Sequence, residues 1–220
     1  LIEKPIKTEW LLLDGENLSV KMPNIDSIIG DKLTAFAPNT TGVPYGIEKE
    51  KEIMKQLFDI GCLFDEFTDV EVVKQSFRKS VKQGIEYRPE RKIESDDQVL
   101  WDIIKTSLLI SGIVNLSQTK ESIPLREINT GINQFRHFVF VGNFGLMDAK
   151  LASSKAALLA AMILKDYKKD FPKFSSDIPL TDFLISNPEH NYLNKRLKFV
   201  AQGEALFYWS QALKILYPDN

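Results

Sequence analysis

Apolar residues recur at helical spacing through most of this chain, and the pattern predicts a mostly helical protein with strands only near its beginning. Residues 10–13, an apolar run, and residues 18–22, in which apolar and polar residues alternate, lie on either side of turn-forming residues at 14–17, which predicts a β-hairpin or a strand pair. Three helices are expected to follow, over Pro23–Ala37, Ile47–Phe64 and Thr68–Gly84.

The second half of the chain is expected to consist mainly of helices. Phe138–Val141 is a short apolar run whose periodicity fits a strand and a helix equally well. The charged segment from Tyr87 to Asp97 divides the chain into two parts. We therefore expect an α+β protein, with a first domain over residues 1–90 and a helical domain over residues 91–220. The helices predicted after the charged segment cover residues 96–114, 150–167, 180–185 and 196–216.

Two ionisable residues occupy positions where the amphipathic pattern favours an apolar one. Lys32 lies one helical turn from both Ile28 and Phe36, inside the apolar stripe of the first predicted helix, so its side chain is expected to point inward. Asp59 is the single charged residue within the apolar stretch 57–64 of the second helix. A buried carboxylate must be paired or must have a chemical role. These two residues are therefore the candidate functional residues.

Composition limits the class of protein only moderately. The 220 residues include 28 basic and 30 acidic ones, a net charge of −2 that does not favour a protein coating nucleic acid. The single cysteine, Cys62, has apolar neighbours and is expected to be buried, and no disulfide can form within the chain. The longest apolar run is too short to cross a membrane and no signal peptide is present, so a cytoplasmic protein is expected.

Most motifs of known chemistry are absent. Two isolated histidines cannot form a zinc cluster, and neither a dinucleotide-binding glycine motif nor a phosphate-binding P-loop occurs. Ser153, Ser154 and Lys155 suggest a Ser-Lys pair, but neighbouring helical residues point about 100° apart. Arg136 and His137 occur together, as at some RNA-cleaving sites, although the edge of an apolar core explains them as well. Glu94, Asp96 and Asp97 could bind a metal or could lie at a helix N-terminus.

Two segments of the chain resemble a known family. The run from Pro23 to Ala35 ends in Lys-Leu-Thr-Ala, and the run from Lys55 to Ile60 reads Lys-Gln-Leu-Phe-Asp-Ile. Together they resemble the second half of the AbiEii/AbiGii toxin family of nucleotidyltransferases, whose members carry a Lys-Leu-x-Ala helix followed by an Asp-Leu-Tyr-Asp-Leu type helix. The resemblance covers about residues 7 to 66.

The resemblance implies roles for the two candidate residues. Lys32 matches the lysine that contacts nucleotide phosphates, and Asp59 matches the second aspartate, a catalytic carboxylate. Gln56 replaces the first aspartate of that motif, which weakens any scheme that needs two acids there. The fold implied is a partial nucleotidyltransferase sheet with helices, followed by a helical bundle. The activity implied is transfer of a nucleotide monophosphate from a nucleoside triphosphate to an acceptor such as RNA, in a toxin-antitoxin or phage-defence pair with a cognate antitoxin.

Magnesium binding in this family needs a Gly-Ser helix start followed by a pair of acids, and this sequence contains no such motif. We therefore expect Mg²⁺ ligands in a segment preceding Leu1, and no catalysis by residues 1–220 alone. The alternative is a non-catalytic interaction or regulatory module on a degenerate nucleotidyltransferase scaffold. In either case Lys32 and Asp59 are expected to converge on one concave surface beside the strands of residues 8–22. A purely structural pair, or pairing of Asp59 with Lys55 one turn back, remains open.

Overall fold

The structure is a computed structural model that describes residues 1–6, 19–115, 122–139 and 142–218. These residues form a mostly helical protein with one small antiparallel sheet, which is the α+β class expected from the sequence. The two strands are β1 (Ile2–Pro5) and β2 (Ser19–Met22). The α-helices are α1 (Ile25–Ala35), α2 (Glu50–Leu63), α3 (Val70–Tyr87), α4 (Asp96–Gly112), α5 (Ile123–Phe135), α6 (Leu146–Leu164), α7 (Tyr192–Leu197) and α8 (Glu204–Leu216).

The sheet is a ladder of four residue pairs that places Ile2 opposite Met22 and Pro5 opposite Ser19. The strand predicted over residues 18–22 is therefore confirmed as β2. Its predicted partner, residues 10–13, and the predicted turn lie outside the described residues. Because β2 ends three residues before α1, the sheet lies next to the start of the helix that carries Lys32.

Helices α1 and α3 begin at well-formed caps. The Asn24 side chain accepts a hydrogen bond from the Ser27 N–H and starts α1. The prediction that Thr68 caps α3 is wrong. Asp69 caps this helix, because its side chain accepts hydrogen bonds from two backbone N–H groups. Thr68 instead donates its backbone N–H to the buried carboxylate of Asp26 in α1, at 2.7 Å. This bond ties the start of α3 to α1.

One continuous apolar core joins the helices on both sides of residue 90. Helix α6 is buried along most of its length and packs against α2, α4 and α8. Helix α1 packs on α3, where a Cβ atom at Gly30 would lie 2.5 Å from the Val73 carbonyl oxygen. The division into domains at residue 90 stays a prediction. None of the helices in the described residues combines the length and apolarity needed to cross a membrane.

The single helix predicted over residues 196–216 is wrong. The chain forms α7, then a short 3-10 helix over Val200–Gly203, and then α8. The break has a backbone cause, because Ala201, Gln202 and Gly203 all have positive φ values, which an α-helix cannot contain. The apolar spacing continues across this break, so periodicity alone could not reveal it.

Candidate functional site

Lys32 and Asp59 form an ion pair between α1 and α2. The Lys32 Nζ atom lies 2.8 Å from Asp59 Oδ2. The expectation that the two side chains converge from neighbouring helices is confirmed. The described part of the predicted strand region, β2, immediately precedes α1, and residues 8–18 lie outside the described residues. The predicted concave shape of the surface stays a prediction.

The sequence places both residues at the edge of the apolar core. Lys32 follows the buried residues Ile29 and Gly30, and precedes the fully buried Leu33. Asp59 precedes the fully buried Ile60 on α2. Each charged residue therefore lies next to a buried residue at the edge of the core. The packing of α1 on α2 fixes the distance between the Lys32 and Asp59 side chains. The lysine also lies in the last turn of α1, where the helix dipole favours a positive charge.

Gln56 completes a three-residue cluster. Lys32 Nζ donates a hydrogen bond to Gln56 Oε1 at 3.2 Å, in addition to its bond with Asp59. An ammonium group has three donors, so one N–H of Lys32 has no protein acceptor among the residues that the structure describes. Lys55, the alternative partner of Asp59, is exposed and makes no ion pair within the described ranges. The sequence-based alternative that pairs Asp59 with Lys55 is therefore wrong.

The exposure of the pair decides what it can do. The side chains of Lys32 and Asp59 are 26% and 27% exposed, so water reaches both groups. Ion pairs with this degree of solvation typically contribute only about 0–1 kcal/mol to stability. The pair can also open at low cost, because each group keeps contact with water when the other leaves it. A lysine and a carboxylate that can separate are available to a ligand.

A second ionic cluster joins the residues just after α2 to α6 and α8. The buried ammonium of Lys155, on α6, binds both carboxylate oxygens of Asp65 at 2.7 and 2.8 Å and lies 3.8 Å from Glu204. Its side chain is 5% exposed, so this pair anchors α6 to the chain that follows α2. Sequence analysis considered Lys155 only with the neighbouring serines. The lysine in an apolar, alanine-rich helix was the signal that could have identified this pair.

Several other sequence-based candidates have structural explanations. Ser153 bonds the Lys150 carbonyl and the Ser111 hydroxyl, so it shares no partner with Lys155. Asp96 lies in the first turn of α4, as the helix N-terminus alternative predicted. Its carboxylate pairs with Arg78. Cys62 is exposed rather than buried, because it lies on the solvent side of α2. Burial of part of the side chain and the nearby Asp59 carboxylate raise the pKa of the Cys62 thiol.

The loop between α1 and α2 is held by a buried carboxylate that sequence analysis missed. Asp102, on α4, is 5% exposed and accepts hydrogen bonds from the backbone N–H and side-chain amide of Asn39, at 2.8 and 2.6 Å. It also accepts from the Thr40 hydroxyl at 2.9 Å. At the other end of the loop, the Gly46 N–H donates to buried Glu127 on α5 at 2.7 Å. These bonds fix the connection between the two helices that carry the candidate site.

Two arginines also bind this loop. Arg88 donates to the carbonyl oxygens of Thr41 and Gly42, and Arg91 donates to those of Thr40 and Gly42. Guanidinium groups therefore bind three of the loop carbonyls, and carboxylates bind the N–H groups of Asn39 and Gly46. Such a loop keeps α1 and α2 in one relative position, which preserves the Lys32–Asp59 geometry.

The described residues contain no cluster of metal ligands. They contain no group of three or more His, Cys, Asp or Glu side chains arranged to hold a metal ion. The one carboxylate at the candidate site, Asp59, is bound to Lys32, and its neighbour Gln56 is uncharged. Two-metal phosphoryl transfer requires several oxygen ligands around ions about 3.5–4 Å apart. We therefore derive no catalytic step through a metal from these residues.

Lys150 provides a stability prediction that depends on pH. This residue of α6 is 3% exposed, and its Nζ donates to the Arg196 carbonyl at 3.4 Å. Burial, with a smaller contribution from the positive charge of Arg196, lowers the pKa of Lys150 from 10.5 to about 8. Between these two values the unfolded chain binds the proton more strongly than the folded chain, so this group makes stability rise with pH.

We expect Lys150→Met to raise the free energy of unfolding at pH 7 by about 1–3 kcal/mol, because an apolar side chain replaces a buried cation. The difference from wild type should shrink between pH 8 and pH 10.5, where the folded lysine has already lost its charge. Urea unfolding at pH 7 and at pH 10 measures both values. Lys165→Met, at an exposed position that follows α6, is the control and should show no such pH dependence. An equal difference at both pH values for Lys150→Met would contradict the prediction.

Comparisons of the chain with protein-family models, with curated proteins and with solved structures find no match.

Proposed function

We propose that this chain is the later part of a nucleotidyltransferase of the AbiEii toxin type, which transfers a nucleotide monophosphate from a nucleoside triphosphate to an acceptor hydroxyl. The single observation that supports it most is the Lys32–Asp59 pair, 2.8 Å long, partly solvated and positioned by two adjacent helices. Lys32 and Asp59 are the residues that match the family motifs, and they are in direct contact although they lie 27 positions apart in sequence. If the two short motifs matched by chance, no contact between these residues would be expected.

In this proposal Lys32 binds the triphosphate. Its ammonium is a compact positive charge, and one of its three donors is free of protein acceptors in the described part of the chain. A phosphate oxygen can accept from that donor while Gln56 holds the lysine in place. Binding of a polyanion also weakens the bond of Lys32 to Asp59, because the ammonium charge is then shared between the two anions.

Asp59 acts as the general base. Once its bond to Lys32 is weakened, the carboxylate accepts the proton of the acceptor hydroxyl, whose oxygen attacks the α-phosphorus of the triphosphate. A new phosphorus–oxygen bond forms, the bond to the β-phosphate oxygen breaks, and pyrophosphate leaves. Magnesium, expected for this class of enzyme, would neutralise charge on the triphosphate, and its ligands are expected before Leu1. A cognate antitoxin is a proposed partner of the toxin.

The alternative function is a non-catalytic interaction or regulatory module on the same scaffold. Gln56 favours it, because the position of the first acid in the family motif carries an amide that only holds Lys32. The two functions differ in transfer rather than in nucleotide binding. A transfer assay with labelled nucleoside triphosphates and RNA should therefore be run with this chain and with the chain joined to any coding sequence that precedes Leu1 in its gene. Incorporation in either sample excludes the non-catalytic alternative.

Nucleotide binding provides the direct test of the site. We expect Lys32→Met to weaken binding of nucleoside triphosphate by about 10- to 100-fold, because the charge-assisted bonds of the ammonium to phosphate are lost. Isothermal titration with each of the four ribonucleoside triphosphates measures this effect. Lys82→Met, which removes an exposed lysine from α3, is the matched control and should bind as wild type does. Equal affinities of wild type and Lys32→Met would remove Lys32 from the site.

A further inference from the structure

A strip of exposed side chains on α2 leads to Asp59. Lys51, Lys55 and Asp59 are spaced four residues apart, so they lie on one side of the helix, each about 6 Å from the next along its axis. Lys55 is exposed, and neither lysine makes an ion pair with any residue of the described ranges. Two lysines that form no ion pair among the described residues therefore line the surface beside the candidate catalytic carboxylate.

An exposed aromatic ring lies at the far end of this strip. Phe138 follows α5 and is 64% exposed, and the Lys51 Nζ atom lies 3.9 Å from the centre of its ring. The packing of α5 against α2 fixes this position, with the rings of Phe58 and Phe135 5.4 Å apart. The cation covers one side of the Phe138 ring. Most of the ring surface stays open to a ligand.

Arg136, two residues before Phe138, is a further cation near the ring. Arg136 and His137 are exposed, and Arg136 Nε donates to the Asn143 side chain at 2.9 Å, which holds the guanidinium at the surface. From the sequence, these two residues fitted an RNA-cleaving site or the edge of an apolar core. In the structure, the Phe138 ring has one cationic neighbour on α2, Lys51, and another in the sequence at the end of α5, Arg136.

We propose that Lys55, Lys51 and Phe138 bind a single-stranded nucleic acid, with phosphates on the lysines and one base stacked on the ring. This combination of positive charges along a track and an exposed aromatic face is how proteins bind single strands without reading sequence. The direction of the strand rests on the proposed function: the acceptor hydroxyl would be the end of the strand that reaches Asp59. Binding itself requires no transfer, so the two proposals can fail separately.

The chain offers a matched control surface. On α7 and just after it, Lys195 and Lys198 are also unpaired within the described residues, and Phe199 is 84% exposed with Lys198 Nζ 4.7 Å from its ring centre. This control surface has the same residue types as the strip, but its lysines are three residues apart rather than four and do not lead to Asp59, so the proposed path of the strand does not cross it. It is carried by a different helix, which does not contain Asp59. Equivalent substitutions at the two surfaces separate a general effect of charge from binding at the strip.

The test is fluorescence anisotropy with a labelled 12-nucleotide RNA of mixed sequence, the same sequence as DNA, and its duplex. We expect the Lys51→Gln/Lys55→Gln variant to bind the single strand at least about tenfold more weakly at low salt. The slope of log K against log salt should fall in magnitude by about 1.4, because two phosphate contacts are lost. Phe138→Leu should weaken binding by roughly tenfold through lost stacking. Comparison of the RNA and DNA arms identifies which strand the surface prefers.

The control variants, Lys195→Gln/Lys198→Gln and Phe199→Leu, should bind within about twofold of wild type. The inference is overturned if these controls lose as much affinity as the strip variants, if duplex binds as tightly as single strand, or if wild type binds no strand at low salt. Far-ultraviolet circular dichroism of each variant checks that it is folded, since all substituted residues are at the surface. Strand binding without any nucleotide binding would refute the proposed transferase and leave the strip in place. Transfer to RNA by the strip variants at the wild-type rate would refute the strip as the path of the acceptor strand.

Discussion

Asp59→Asn is expected to lower nucleotide transfer by about 10²- to 10⁴-fold, the range typical of a lost general base. Asparagine keeps the shape of the side chain but cannot accept the proton of the acceptor hydroxyl. Affinity for nucleoside triphosphate should stay the same or rise, because Lys32 loses a competing anion while Gln56 still holds it. The predicted result is thus a large fall in kcat without a rise in KM. Steady-state kinetics of the active protein, with labelled nucleotide, measures both.

Stability distinguishes this result from a structural role of Asp59. The pair is more than a quarter exposed, so water can solvate Lys32 in the variant, and the free energy of unfolding should change by less than about 1 kcal/mol. Asp65→Asn is the matched control, since it removes the charge of the nearer of two carboxylates at Lys155, a buried lysine. That variant should lose about 1–3 kcal/mol and keep its transfer rate in the folded fraction. A large loss of stability in Asp59→Asn, with transfer retained, would refute the catalytic role.

The candidate pair could be predicted from the sequence because both residues interrupt the apolar stripes that form the core. Lys32 and Asp59 interrupt apolar stripes, and both stripes belong to amphipathic helices whose spacing is visible without a structure. The rotational position of each residue on its helix follows from the 3.6-residue period. The inward direction of the two stripes led to the prediction that α1 and α2 are neighbours. The 3.6-residue period does not itself determine which helix packs on which, and the contact is seen only in the structure.

Other features depend on contacts between distant residues. Asp102 lies among apolar residues of α4, and its partners in the loop after α1 are more than 60 positions away, so no local pattern indicates them. The break before α8 results from three residues in left-handed conformations, two of which are not glycine. Cys62 has apolar neighbours in sequence but points to solvent, because the direction of the core around α2 is set by α5 and α6.

Asp102→Ala is expected to affect both stability and activity. The change leaves the Asn39 N–H without its acceptor and leaves the Thr40 hydroxyl only the Ala37 carbonyl oxygen, at 3.4 Å, although both donors retain partial access to water. We expect a loss of about 2–4 kcal/mol in the free energy of unfolding. For a protein of this size that corresponds to a fall of about 5–15 °C in Tm. Differential scanning calorimetry of the variant and wild type measures the fall.

The effect on activity follows from what the loop connects. It joins the end of α1 to the start of α2, so its release should let Lys32 and Asp59 move apart, and misplacement by about 1 Å can cost about a hundredfold in rate. Asp102→Asn is the matched control. The amide of Asn39 can rotate to present its oxygen to the new amide, which preserves most of the contact seen at 2.6 Å. The asparagine variant should therefore lose less than half as much stability as the alanine variant and keep transfer within about tenfold of wild type. If Asp102→Ala lost stability while the fraction that remained folded transferred nucleotide at the wild-type rate, the loop would support the fold without positioning the site.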